Sequence, residues 1–240
     1  MTVTIMQPAY LPWLGFFERI YLSDLFIVLD HVQLDTSSKT NFTNRNKIKT
    51  PQNNTWLTIP VKRKGKYGEL FINKIEIDNE VNWKHKHLGS IKQFYSKAAY
   101  FNQYYTRIEE LISNDSIFLV PFIDLINKNL FEMLSIETKM IYSSSMSEIN
   151  SQKDDLILDL CRNVGATRYI SGPFGRDYLD ISKFKKNDIE LLFHDYKHPE
   201  YKQQFGGFSP YLSIIDLLFN HGKNSLQILN TTKSSDELSR

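Results

Sequence analysis

The sequence predicts an α/β fold: a mostly parallel sheet with flanking helices, plus a β-hairpin and a helical insertion. Three observations carry that prediction. Residues 3–6 and 25–29 are short, continuous apolar runs, as strands covered on both faces are. Between them, residues 13–22 place Phe16, Phe17, Ile20 and Tyr21 at three- and four-residue spacing, which is a helix packed by one face. The same alternation of strand and helix returns after Glu137.

Taken in order, the opening strand ends at Gln7-Pro8, the first helix stops at Ser23-Asp24, and the second strand follows at once. Residues 31–51 are polar without a clear period and read as a long connecting loop. Residues 56–61 and 70–77 read as two strands of a hairpin around the basic stretch 62–68. Helices are expected over 82–95, 103–112 and 117–134, the last with Pro121 in its first turn where proline is tolerated. A strand at 138–142, a helix at 152–164 stopped by Gly165, and strands at 168–171 and 189–193 complete the second half. Residues 210–219 are apolar nearly all round, and Ser209 and Pro210 stand where an N-cap and first helical residue belong. The pattern is one Rossmann-like domain over residues 1–230, with the hairpin and helices inserted at about 55–135 and a polar tail, 231–240, expected to fray.

Composition narrows the function classes. Among 240 residues, 29 Lys plus Arg face 27 Asp plus Glu, so the net charge of +2 excludes a polybasic tail and nucleic acid as the main ligand. The single cysteine, Cys161, excludes an internal disulfide and falls among the core positions of its helix. No apolar stretch of about 18 residues occurs, so no membrane insertion is expected and the reading is cytoplasmic. Sixteen Phe, 13 Tyr and 3 Trp supply rings both for a core and for stacking on a ligand.

Five polar constellations stand out. Gln7, Tyr10 and Trp13 lie in the turn between the first strand and helix, where Gly15 permits close approach and free amides favour an anion. The place resembles that of the paired histidines of adenylyl-transferring α/β enzymes, but Trp13 and Phe16 occupy it. Asp30 and His31 close the second strand, each a candidate general base, followed by Gln33, Asn44 and the fork of Arg45. Their alternation sends Asp30 and His31 to opposite faces if the strand continues. The basic stretch 62–66 reads as a solvated hairpin tip. Ser171, Gly172 and Arg176 follow a strand and suit an anion. Ser213, Asp216 and Asn220 share one face of an otherwise apolar helix, so Asp216 requires a cation, amides or a ligand. His85 and His87 are two apart, which is not a zinc-binding spacing on a helix; no metal motif and no Gly-x-Ser-x-Gly elbow is present.

Met6-Gln7-Pro8-x-Tyr10-x-Pro12-x-x-Gly15-x-Phe17, Asp30-x-Val32-Gln33, Asn44-Arg45-Asn46 and Trp56-Leu57-Thr58-Ile59-Pro60-Val61 together resemble the WbqC-like protein family. Tyr169-Ile170-Ser171-Gly172, Tyr178-Leu179, Tyr201-x-Gln203 and the block from Leu212 to Gly222 match its closing signatures. His31 stands where that family commonly has a second acidic residue. The resemblance implies bacterial O-antigen or surface-polysaccharide biosynthesis, with transfer of an acyl or aminoacyl group, such as glycine, onto a nucleotide-linked sugar. On that reading Arg45 and Arg176 hold the diphosphate or donor carboxylate, Asp30 or His31 is the base, and Asp216 fixes the acceptor or a glycyl amine. Tyr10 and Trp13 stack on the sugar or its base. No cofactor is required by the sequence, and the acyl donor, free or carrier-linked, stays open. A nucleotidyl-transferase-like enzyme and a non-catalytic partner of a glycan-assembly complex are the alternatives.

Overall fold

Six residues into the chain the backbone has already made the hub of its sheet, because Val3, Thr4 and Ile5 of strand β1 (Thr2–Met6) are buried and both edges of the strand are paired. The computed structural model describes residues 1–34, 42–62, 70–146 and 151–230, and the backbone of 238–239. Helix α1 (Leu14–Tyr21) leads to β2 (Leu25–Val28), and β3 (Arg45–Lys49) and β4 (Asn54–Thr58) follow. Helices α2 (Trp83–Tyr95), α3 (Phe101–Ser113) and α4 (Leu119–Leu134) lead to β5 (Lys139–Tyr142). Then come α5 (Lys153–Asn163), β6 (Arg168–Ser171), α6 (Ile181–Lys186), β7 (Glu190–His194), α7 (Ile214–His221), α8 (Ser225–Leu229) and β8 (Leu238–Ser239).

Five strands run parallel in the order β5-β2-β1-β6-β7, with β8 antiparallel at the edge. This confirms the α/β class. One face, with Val3, Ile5, Ile27 and Leu191, packs on Leu160 and Cys161 of α5 and Phe184 of α6. The other, with Phe26 and Val28, packs on Phe17 and Ile20 of α1 and on the apolar sides of α4 and α7. The chain leaves β1 toward β2 and crosses back from β5 to β6, so the order reverses between β1 and β6. Ligands of open α/β sheets bind outside the carboxyl ends of the strands at such a reversal.

A hairpin is present, but its strands are not the expected pair. β3 and β4 pair antiparallel from Arg45 opposite Thr58 to Lys49 opposite Asn54, so the first lies inside the segment read as loop and the second overlaps the strand expected at 56–61. Residues 70–77 hold a single 3-10 turn (Ile72–Lys74) and touch the earlier segment by one bridge, Val61 to Ile77. The period of two in β3 is carried by Asn46 and Ile48 as inward residues, so an apolar pattern alone does not reveal it. The expected basic tip falls largely on residues 63–69, outside the described residues.

The last long helix also starts later than expected. Ser213, not Ser209, is the N-cap, and its hydroxyl accepts the amide of Ile215. Tyr211 takes a left-handed φ of 59°, which no helix continues through. Leu238–Ser239 of the closing segment pair with β7, and the rest of that segment lies outside the described residues.

Candidate functional site

The carboxyl edge of the sheet is assembled from turns whose sequences allow no longer strand. β2 ends at Val28, so Asp30 and His31 sit in a turn rather than on opposite faces of a strand, and both side chains reach the same neighbour. That neighbour is Ser143, at the end of the adjoining strand β5. Asp30 Oδ1 accepts from the Ser143 hydroxyl at 3.0 Å and the Ser144 amide at 2.9 Å, and Oδ2 accepts from the Ser144 hydroxyl at 2.6 Å. Ser143 Oγ also accepts the Asp30 amide at 3.1 Å and lies 2.6 Å from His31 Nδ1.

A serine hydroxyl has one hydrogen, and here the carboxylate takes it. Toward His31, Ser143 is therefore an acceptor, so Nδ1 carries a hydrogen and, in the neutral ring, Nε2 keeps its lone pair. The imidazole is half-buried, held at one nitrogen and available at the other. An oriented imidazole backed through a hydroxyl by a carboxylate can take a proton from an amine or alcohol.

The turn after β1 is braced rather than open. Asn46 donates to Leu11 O at 2.6 Å and Asn127 donates to Ala9 O at 3.1 Å, which fixes Leu11 at a left-handed φ of 44°. Tyr10 is fully buried, with its ring stacked on His87 and its hydroxyl 3.0 Å from His87 Nδ1. His87 Nε2 donates to Thr58 O, and burial pushes its pKa down to about 4, so the neutral ring accepts from Tyr10. Asn44 is buried too, donating to Ile59 O at 2.8 Å. Gln7 is half-buried and accepts the Thr43 hydroxyl at 3.4 Å. Trp13 is half-buried between Tyr196 and Tyr211, edge-on to both.

Of the two candidate arginine forks, Arg176 grips Asp195 at 2.8 and 2.7 Å and stacks on Phe193, while Arg45 stacks on Trp56 of the hairpin at 4.6 Å. Gln33 is exposed on the segment bridged to Phe71. Ser171 is buried at the end of β6, with Gly172 next in line.

Asp216 lies on α7, whose cap Ser213 is bridged to Trp13 of the turn after β1. Asp216 is 0 % exposed, inside a polar cluster of β3, α2, α7 and the segment before α7. Tyr95 donates to its Oδ2 at 2.7 Å while accepting the Lys49 amide at 2.9 Å. Lys49 Nζ donates to Gln203 Oε1 and to Gly207 O, both at 2.8 Å, and Gln203 clamps the backbone of Ser209 from both sides. Burial lifts the Asp216 carboxyl to about 6, an effect partly offset by Tyr95, Tyr201 and Lys49. Asn220 donates to the Asp216 carbonyl and accepts from Gln204, and Ser213 is the helix cap.

A family model, the WbqC-like protein family, matches residues 7–228. The chain belongs to that family. It is also 35% identical over 225 residues to the uncharacterized protein Rv1507c of Mycobacterium tuberculosis (strain ATCC 25618 / H37Rv), covering 92% of this chain and 94% of the relative. No solved structure matches the chain. The family suggests an association with polysaccharide biosynthesis. Among the described residues no helix is long and apolar enough to cross a membrane, and no group of three or more His, Cys, Asp or Glu could hold a metal ion.

Sequence reasoning missed Ser143 and Ser144, although a run of three serines directly after a strand was a usable signal. It also missed the buried pair of Glu18 and His194, 2.7 Å apart, and the adjacent Arg19. A Glu-Arg step in a helix whose other residues are largely apolar was the only trace of them.

Proposed function

We propose that the protein is an acyl or aminoacyl transferase of surface-polysaccharide biosynthesis, acting on an amino or hydroxyl group of a nucleotide-linked sugar bound at the carboxyl edge of the sheet. One observation carries the reading: the Asp30, Ser143, His31 relay leaves Nε2 of His31 as an oriented, accessible base. In the reaction the acceptor nitrogen or oxygen attacks the acyl carbonyl, its proton passes to His31 Nε2, and the bond from the carbonyl to the donor's leaving group breaks. The proton then moves to that leaving group, so the imidazole returns to its starting form. Asp30 stabilises the imidazolium through Ser143 without taking the proton, and is a positioning residue. The sheet order supports the location, because β1 and β6 flank the reversal.

The test is turnover of purified protein with amino-sugar nucleotides and activated acyl donors, followed by mass spectrometry of the sugar product. His31→Gln retains ligand binding and loses turnover if the base assignment holds. Equal turnover by the variant and the parent removes His31 from the mechanism. Release of pyrophosphate from ATP without acyl transfer would replace this reading by nucleotidyl transfer.

A further inference from the structure

Arg19 projects from α1 to the carboxyl end of β6. Its Nε is buried and has no hydrogen-bond partner. Among the described residues it makes no ion pair, and the preceding Glu18 is turned to His194 instead. Arg19 is half-buried as a residue, and a donor atom buried without a partner is costly unless something arrives to pair with it.

The backbone beside it is shaped around the guanidinium. A Cβ on Gly172 would stand 2.9 Å from Arg19 Nη1 and 3.2 Å from Nη2. Gly172 has φ −71° and ψ 167°, a conformation that any residue adopts. A side chain at 172 is therefore compatible with the turn and would push the guanidinium aside. Both residues sit beside the reversal of strand order: Thr4 faces Ile170 in the β1–β6 register, which carries Gly172 level with Met6. Asp30 follows two strands away, ~10 Å across the edge at the usual strand spacing. The half-exposed Tyr178 stands near the same guanidinium, and burial together with the Arg19 charge pushes the His194 imidazole down to about 3.

From this geometry we infer that Arg19, seated against Gly172, is the binding residue for an oxyanion of the ligand, gripped by the guanidinium fork. Phosphoryl and carboxylate groups share that chemistry. The inference deepens the transferase reading, since it places the charged part of the substrate about two strands from the base. It moves to Arg19 the anion-holding role that the family resemblance implied for Arg45 and Arg176.

Isothermal titration with inorganic pyrophosphate and, separately, with malonate tests it on the full chain without any turnover. Binding of pyrophosphate, weakened at least tenfold by Arg19→Gln, identifies a phosphoryl subsite; the same pattern with malonate alone identifies a carboxylate subsite. Gly172→Ala keeps the charge and the turn but displaces the fork, and weakens the same anion at least fivefold. It serves as the second probe where Arg19→Gln does not fold. His31→Gln binds the anion as the parent does, so loss of turnover and loss of anion binding are separable. No binding of either anion by the parent, or equal binding by parent and Gly172→Ala, overturns the inference.

Discussion

Asp30 and Asp216 are both buried aspartates, and the molecule treats them in opposite ways. Asp30 accepts three hydrogen bonds from two serines at an edge where a half-buried histidine is waiting. Asp216 accepts one, from Tyr95, in a cluster of buried side chains, and burial lifts its pKa. Burial alone therefore does not mark a reactive carboxyl. What distinguishes the two is whether the hydrogen-bond network ends at an accessible atom. The network of Asp30 ends at His31 Nε2; that of Asp216 ends at Lys49 and Gln203, inside the protein.

The sharpest way to break this comparison is at its accessible end. Removing a general base costs about 10²–10⁴-fold in rate, so His31→Gln lowers turnover by that order while the melting temperature stays close to that of the parent. Ser143→Ala releases the imidazole and lowers turnover less. A His31→Gln variant that loses stability as well as rate would make the histidine part of the scaffold, on the same footing as Asp216.

The closed end answers to pH. The Asp216 carboxyl is raised from 3.8 to about 6 in the folded protein, so the folded state holds the proton more tightly than the unfolded chain. Its contribution is complete below pH 4 and is lost as pH rises through 6, amounting to about 3 kcal/mol at 1.36 kcal/mol per unit. His87 runs the other way. Its pKa is lowered to about 4, so its contribution is present above pH 6.5 and fades as pH falls through 4. The two slopes partly cancel in the parent. The difference between parent and Asp216→Asn in denaturant melts at pH 4 and pH 7 isolates the first, with the variant gaining relative stability at pH 7. A pH-independent difference would mean that Asp216 does not titrate in this range.

Tyr95→Phe probes the same cluster by a different route. It leaves the Lys49 amide and Asp216 Oδ2 without a partner, each buried. Loss of a buried partner costs about 1–3 kcal/mol, read as a lower denaturation midpoint, with turnover per folded molecule unchanged.

Much of the fold was legible because the parallel strands are continuous apolar runs: residues 25–28 directly follow a helix and are all buried, as a strand covered on both faces is. Asp216 was legible as a buried polar residue for a similar reason, since its helix has no other side to show. The serine run was a usable signal, but its pairing with Asp30 and His31 was not legible, because the contact spans 112 residues and depends on β2 and β5 being neighbours. Arg19 was hidden by its surroundings: on an amphipathic helix an arginine ordinarily reaches water, and only the placement of Gly172 against it reveals the enclosed side. The β3 strand was hidden by chemistry, because its inward Asn46 pairs with a backbone carbonyl instead of an apolar neighbour.

The smallest effect belongs to the arginine that the sequence made most conspicuous. Arg176 and Asp195 form a two-pronged pair, but their side chains are 37% and 45% exposed, so solvent and salt screen the attraction. Exposed pairs contribute about 0–1 kcal/mol, and the bidentate geometry together with the Phe193 ring beneath the guanidinium puts this one in the upper half of that range. Arg176→Ala therefore lowers stability by less than about 1 kcal/mol at low salt, and the deficit shrinks further by 1 M salt, where the screening length is about 3 Å. Arg19 stands in contrast: half-buried against Gly172 with its Nε buried, it would act on an anion in the proposed site with less screening than Arg176, and the salt dependence of the two arginines is the measure that separates a surface pair from a binding site. A loss of several kcal/mol in Arg176→Ala, undiminished by salt, would reverse that ranking and place the turn after β6, rather than the half-buried cation beneath it, at the centre of the edge.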